Sequence, residues 1–262
     1  MPSPSNFWFR SKASPIPTRI RIFHLSLFLI LATIISAILL NQSNLRWDWE
    51  SINAYWLHFC KGWLHTASIS ALALASSLLF GSILAASERS NFIPLHLAAR
   101  SIITTIRGTP LLAQIYIFFY IIAEVLHLQN RMLCGILSLS LFSGAYIAEI
   151  LRAGIDSISS SQLESAKAIG LTRFQTYRYV ILPQTVRVIL PPLSGQFVSL
   201  IKDSSLLSII GINELTQTAK NVASYTFSNF ESYIILAAGY LCLTLPLALL
   251  TRFLERKFRH ES

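Results

Sequence analysis

Along this chain, apolar runs of about 20 residues, the length of helix that crosses a bilayer and several of them uncharged, alternate with short stretches that hold most of the charge. The runs fall at 23–40, 66–86, 110–126, 132–151, a proline-bearing segment at 183–212, and 233–251. The pattern predicts an all-α polytopic membrane protein with about six transmembrane helices. The 66–86 run is rich in Ala and Ser, small residues that let helix backbones approach closely inside a bundle. The 88–107 segment is partly apolar but holds Arg89, His96, Arg100 and Arg107, so it either lies at the interface or begins the third span. Pro110 suits a first helical turn, where its missing N–H is not needed. If one helix runs through it, Pro110 kinks that helix, and Arg100, Arg107 and Gln114 fall on one face. The 211–231 segment reads only as polar.

A polar, basic stretch set between two strongly apolar regions is 161–183, SQLESAKAIGLTRFQTYRYVILP. It reads as two short helices joined at a glycine. Ser161 and Glu164 have the spacing of a capping box, Gly170 ends the first helix in a left-handed conformation, and Thr172 with Gln175 repeats the cap. The second helix starts near Arg173, and Pro183 closes it. Leu163, Ala166 and Ile169 share one face of the first helix, and Phe174, Tyr177 and Ile181 one face of the second. Lys167, Arg173 and Arg178 form a charged rim suited to orienting a partner.

Composition agrees with a membrane protein: 53% of the residues are hydrophobic and 13% charged. The net charge of +9 is unevenly placed. Sixteen basic residues fall in the 1–22 leader, the 88–107 segment, the 152–187 region and the 252–259 tail, against Arg46, Lys61, Arg131 and Lys220 in the alternate loops. By the positive-inside rule both termini and the 161–183 stretch are cytoplasmic. No basic-aromatic surface calls for nucleic acid. Residues 1–22, rich in Pro and Ser, read as a basic disordered leader. The 23–40 run is longer than the usual signal-peptide core, with no small-x-small pattern before Asn41, so it reads as a retained extra span. Cys60, Cys134 and Cys242 lack metal or redox spacing and read as packing residues. The six histidines read as interfacial or packing groups. A phosphate-binding loop needs two glycines five residues apart followed by Lys; no two of the ten glycines have that spacing, so ATP is hydrolysed elsewhere if it is used.

Glu164-Ser165-Ala166, then Gly170, then Ile181-Leu182-Pro183 resembles the EAA loop of ABC importer permeases, with Ser165 in place of the usual middle alanine. RGTPLLAQ at 107–114, AYIAEILRAGI at 145–155, LPPLSGQF at 190–197 and KDSSL at 202–206 are similar to the polar amino acid branch of that family. The resemblance covers a permease core at about 59–253, leaving the leader, the extra span and a basic 254–262 tail outside it. It implies a non-catalytic type I importer subunit in a bacterial cytoplasmic membrane that brings polar amino acids inward. It also implies three partners: a cytoplasmic ABC ATPase dimer that binds the ATP, a second permease subunit, identical or related, and an extracytoplasmic solute-binding protein. Glu164, Ser165, Ala166, Gly170, Phe174, Tyr177 and Pro183 would then couple to the ATPase.

Five polar residues are candidates for the substrate path: Arg107, Gln114, Glu149, Lys202 and Asp203. Lys202 and Asp203 stand in an otherwise apolar span, where a charge costs about 2.5–3.5 kcal/mol on insertion scales. Neighbours on a helix point about 100° apart, so each needs another partner: the carboxylate and ammonium of a zwitterionic substrate, or a fixed ion pair or gate within a permease dimer. Glu149 either attracts a cationic amino acid or pairs with Arg152. Arg107 contacts substrate or anchors a helix start, and Gln114 binds substrate or joins two helices. Two other classes remain open, an ion-gradient-driven carrier and a membrane scaffold without transport. A carrier of repeated halves would show a second copy of 161–183 or of KDSSL, and none occurs.

Overall fold

Small side chains decide where these helices touch. The computed structural model describes residues 47–259 and a few positions between 23 and 34. Contacts divide the chain into two units, Met1–Trp47 and Asp48–Ser262. In the first, the described positions between 23 and 34 are helical, and Ser26 Oγ donates to the Phe23 carbonyl at 2.8 Å. The predicted leader and most of the 23–40 span lie outside the described residues.

The second unit is helical throughout, with no strand among the described residues. Its helices are α1 (Trp49–Asn53), α2 (Trp56–Glu88), α3 (Ile93–Gly108), α4 (Leu111–Ile117) and α5 (Arg131–Asp156), followed by α6 (Ser160–Ala168), α7 (Arg173–Thr176), α8 (Leu182–Asp203), α9 (Leu215–Thr226) and α10 (Asn229–Arg259). Among the described residues, three helices are long and apolar enough to cross a membrane: α2, α5, and α10 over Asn229–Glu255. The pair Ile93–Gly108 and Leu111–Val125 makes a fourth if taken as one broken span, bent by 114°. The proline causes the break. Thr109, which precedes it, is extended (φ −120°, ψ 148°), as a residue before proline prefers. Pro110 itself is extended and sits at the N-cap, one residue before the predicted first turn. Arg100, Arg107 and Gln114 therefore do not share one helix face. The predicted fifth span corresponds to α8, whose 22 residues include Arg187, Lys202 and Asp203 and which is not among the helices apolar enough to cross. The second span begins ten residues earlier than predicted, at Trp56, because the aromatic stretch before Thr66 continues the helix.

The most extensive pairing is α2 on α5. At Gly81 a Cβ would stand 2.8 Å from the Gly144 carbonyl oxygen, so backbone meets backbone there. Ser77 and Ser140, both buried, donate to the Ala73 and Ile136 carbonyls within their own helices, which satisfies each hydroxyl away from water. Ile69, Ala73, Leu111, Ile115, Leu139, Leu200 and Leu207 form the main core, drawing on α2, α4, α5, α8 and the tight turn Ser204–Ile210.

Candidate functional site

The polar stretch between α5 and α8 begins at Ser160, not at the predicted cap. Ser159 holds the N-cap (φ −66°, ψ 144°) without a side-chain bond to the backbone, and its Oγ pairs with Ser161 Oγ at 3.1 Å. With three serines in a row the helix starts at the earlier one, so Ser161 is already helical. Glu164 makes no capping bond; it is exposed, as is Ser165, and has no hydrogen bond or ion pair among the described residues. Gly170 takes φ +80° as predicted, with Leu171 N–H bonding the Ala166 carbonyl at 3.0 Å and Gly170 N–H that of Lys167 at 3.0 Å. These two bonds close α6 by a Schellman motif. The second cap forms as read: Gln175 N–H donates to Thr172 Oγ1 at 3.3 Å, and Thr172 N–H to Gln175 Oε1 at 2.8 Å.

Pro183 does not end this second helix. A π turn, Tyr177–Ile181, joins α7 to α8, and Pro183 lies in the first turn of α8, where no N–H is required of it. The two predicted faces divide between inside and outside. Ala166 is buried at 3% exposure, and Leu163 and Ile181 are half-buried. Ile169, Phe174 and Tyr177 project outward, at 76%, 71% and 49% exposure. Tyr179, which the face reading missed, is 65% exposed with Arg178 over its ring at 6.0 Å. The result is an apolar knob on a polar element, rimmed by exposed Lys167, Arg173 and Arg178.

Beside this element, the ends of α2, α3 and α5 carry a charged layer. Glu149 pairs with Arg107 at 3.1 Å and with Arg152; Arg107 also lies over the Tyr146 ring at 5.4 Å. Arg152 and Arg89 both bond Asp156, at 3.0 and 2.6 Å. Beneath them Glu88, with 4% of its side chain exposed, meets Arg100 at 3.1 Å and Arg152 at 3.9 Å. Spacing along the chain could pair Glu149 with Arg152 but could not reveal Glu88. Gln114 Nε2 donates to the carbonyls of Ile106 and Thr109 at 2.7 and 3.1 Å, so the amide fastens α4 to α3 across the bend.

Lys202 and Asp203 are set apart from this layer. They close the last α turn of α8 before the chain tightens into Ser204–Ile210 and reverses at Gly211 (φ +74°), so they mark a change of helix type rather than the middle of a regular span. Lys202 is exposed, and neither side chain has a hydrogen bond or ion pair among the described residues.

The segment read as polar contains α9. Its N-cap Glu214 is fully buried and accepts from Thr216 N–H, Gln217 N–H and Tyr240 Oη–H, each at 2.8 Å, and from Thr66 Oγ1 at 3.4 Å. Burial pushes the Glu214 carboxyl up, against the lowering pull of those bonds. The signal that could have found α9 is the spacing of Leu215, Ala219, Val222 and Ala223, all buried on one face.

Residues 77–260 match the family model of the binding-protein-dependent transport system inner membrane component. The probable glutamine ABC transporter permease protein GlnM of Bacillus subtilis is 34% identical over 76% of this chain and 92% of its own length. The glutamine transport system permease protein GlnP of Escherichia coli K12 is 36% identical over 82% of this chain and 99% of its own. A solved amino acid ABC transporter with histidines superposes with a TM-score of 0.75 at 36% identity, covering 81% of this chain and all of that one. The MetNI methionine ABC transporter, in an inward-facing conformation, shares the fold, with a TM-score of 0.64 at 15% identity. The motifs around Gly170, the helical fold and these matches converge: the chain belongs to the family of inner membrane components of binding-protein-dependent transport systems.

Proposed function

We propose that this chain is the permease subunit of an ATP-driven importer of polar amino acids of the glutamine type, and that the 160–181 element couples it to a separate cytoplasmic ATPase. The observation that carries the coupling role is the outward apolar knob of Ile169, Phe174 and Tyr177 on an element otherwise built for water. Apolar and aromatic side chains ringed by charge are the anchors of a protein interface. The capped, glycine-jointed frame beneath them holds the knob at a set angle, and force applied at Phe174 and Tyr177 reaches α8 through continuous helix. The charge asymmetry supports cytoplasmic termini, and the family association supports a second permease subunit and a solute-binding protein on the other face.

Among the path candidates, Lys202 and Asp203 are the ones whose side chains make no hydrogen bond or ion pair among the described residues, and they would meet the carboxylate and ammonium of a zwitterion. Arg107, Glu149 and Gln114 are committed to the charged layer and the bend. There they would brace the cytoplasmic end as the subunits rock. The test is co-purification of the ATPase with wild type and with the Phe174→Ala/Tyr177→Ala double variant. The expected result is loss of the ATPase from the variant while the chain stays folded in the membrane. Equal recovery from both removes the knob as the docking site.

A further inference from the structure

A cleft of about 360 Å³ opens at the end of the bundle opposite the 160–181 element, between the first turns of α2 and the face of α9. His58, Lys61 and His65 recur on one face of α2, and Asn213, Asn221 and Tyr225 face them across the cleft. None of the described residues lining it is acidic. The nearest acid in sequence, Glu214, is buried and turned to its own bonds. The ring nitrogen Nδ1 of His65 lies 2.9 Å from the Asn213 carbonyl oxygen, which only accepts, so Nδ1 carries a proton, and Nε2 donates to an anion when the ring carries its second proton. One ammonium, two imidazoles, two amides and two phenols, with no carboxylate among the described lining residues, select an anion with several acceptor oxygens.

Depth along α2 says which anion. The charged layer at Glu88 marks the water boundary at one end, and a hydrocarbon core of about 30 Å takes up about 20 residues at 1.5 Å each. The other boundary then falls near Ser68. His65 and Lys61 lie about 5 and 10 Å beyond it, which is the depth of the headgroup phosphates. Trp56, Tyr225 and Phe227, at 58%, 69% and 86% exposure, supply the aromatic side chains expected at that level.

We propose that this cleft holds the phosphodiester of an anionic phospholipid from the leaflet on that side. The proposal rests on the placement of α2 in a bilayer and not on the transport reading. It is tested by lipid retention, which stands whether or not the protein moves amino acids. The complex of this chain with its ATPase is exchanged into detergent and offered phosphatidylglycerol, phosphatidylcholine or inorganic phosphate, and bound molecules are counted by native mass spectrometry. Wild type is expected to retain phosphatidylglycerol at least fivefold over phosphatidylcholine. The Lys61→Ala/His65→Ala variant should fall to the phosphatidylcholine level, and Lys61→Arg should keep the preference. Lys220→Ala, which removes a cation outside the cleft, should also keep it. Equal retention of the two lipids, an unchanged double variant, loss of preference in Lys220→Ala, or inorganic phosphate bound in place of lipid would each overturn the assignment.

Discussion

Gly81 is the position where a single added carbon does most harm to the α2–α5 contact. A Cβ there would lie 2.7 Å from Ile147 Cγ2 and 2.8 Å from both Ile147 Cβ and the Gly144 carbonyl oxygen. Carbon contacts settle at about 3.5–4.0 Å, so the new atom is roughly 1 Å too close to its neighbours. The carbonyl is backbone and cannot rotate aside; the helices themselves must separate. Alanine recovers about 1 kcal/mol of helix propensity over glycine, against an overpacking cost of about 1–3 kcal/mol, for a net loss of about 0–2 kcal/mol. Leucine adds three more carbons at the same contact and should lose about 3 kcal/mol or more, roughly 100-fold in the folded-to-unfolded ratio. Gly108 is the control, because a Cβ there meets no atom within 4 Å. Helicity is followed by circular dichroism as SDS is titrated into detergent-solubilised protein. The order of midpoints should be Gly108→Ala at or above wild type, then Gly81→Ala, then Gly81→Leu well below. A Gly81→Leu midpoint equal to wild type would mean that α2 and α5 do not meet at this point.

Removal of Glu214 should cost about 1–3 kcal/mol, since Tyr240 and Thr66 lose their acceptor and α9 loses its cap. Because burial raises the Glu214 carboxyl, its contribution is complete below the ordinary carboxylate range and is lost as pH rises through the raised folded value. The wild-type unfolding midpoint should therefore fall from acid toward neutral pH, and Glu214→Ala should flatten that slope; a variant with the wild-type slope refutes the assignment. Arg152→Ala should leave Glu88, Glu149 and Asp156 under-compensated. With Arg152 a third exposed, the expected loss is about 1–3 kcal/mol, below the 3–5 of a fully buried pair, and salt titration should show it shrinking at high ionic strength.

What could be read directly from the sequence was local. Thr172, Gln175 and Gly170 sit within a few residues of the groups they bond, and their chemistry admits few alternatives. Ser159 and Ser161 differ by two residues in an all-serine run, so the choice of cap depended on how α5 ends at Asp156, beyond the reach of spacing. Pro183 looked like a stop because proline opposes a regular α ladder; the π turn before it is the device that admits it, and no residue type announces such a turn. The break at Pro110 was foreseen as one of two options, and the conformation of Thr109 decided between them. Glu88, Arg100 and Arg152 are far apart in the chain and meet only after α2, α3 and α5 have packed. The family motifs carried further than the physics of single segments, because their order along the chain reflects contacts that periodicity cannot see.

The central claim is that movement of amino acid through this chain is driven by ATP at a separate subunit, through the element around Gly170. Proteoliposomes containing the permease, its ATPase and a solute-binding protein give the most direct measurement: uptake of labelled glutamine with ATP on the ATPase side, in wild type and in Gly170→Val. The account predicts ATP-dependent uptake in wild type. It also predicts loss of coupling in the variant, because a β-branched residue is strained at φ +80°. Uptake driven by an ion gradient with the ATPase left out, or full ATP-driven uptake in Gly170→Val, would contradict it.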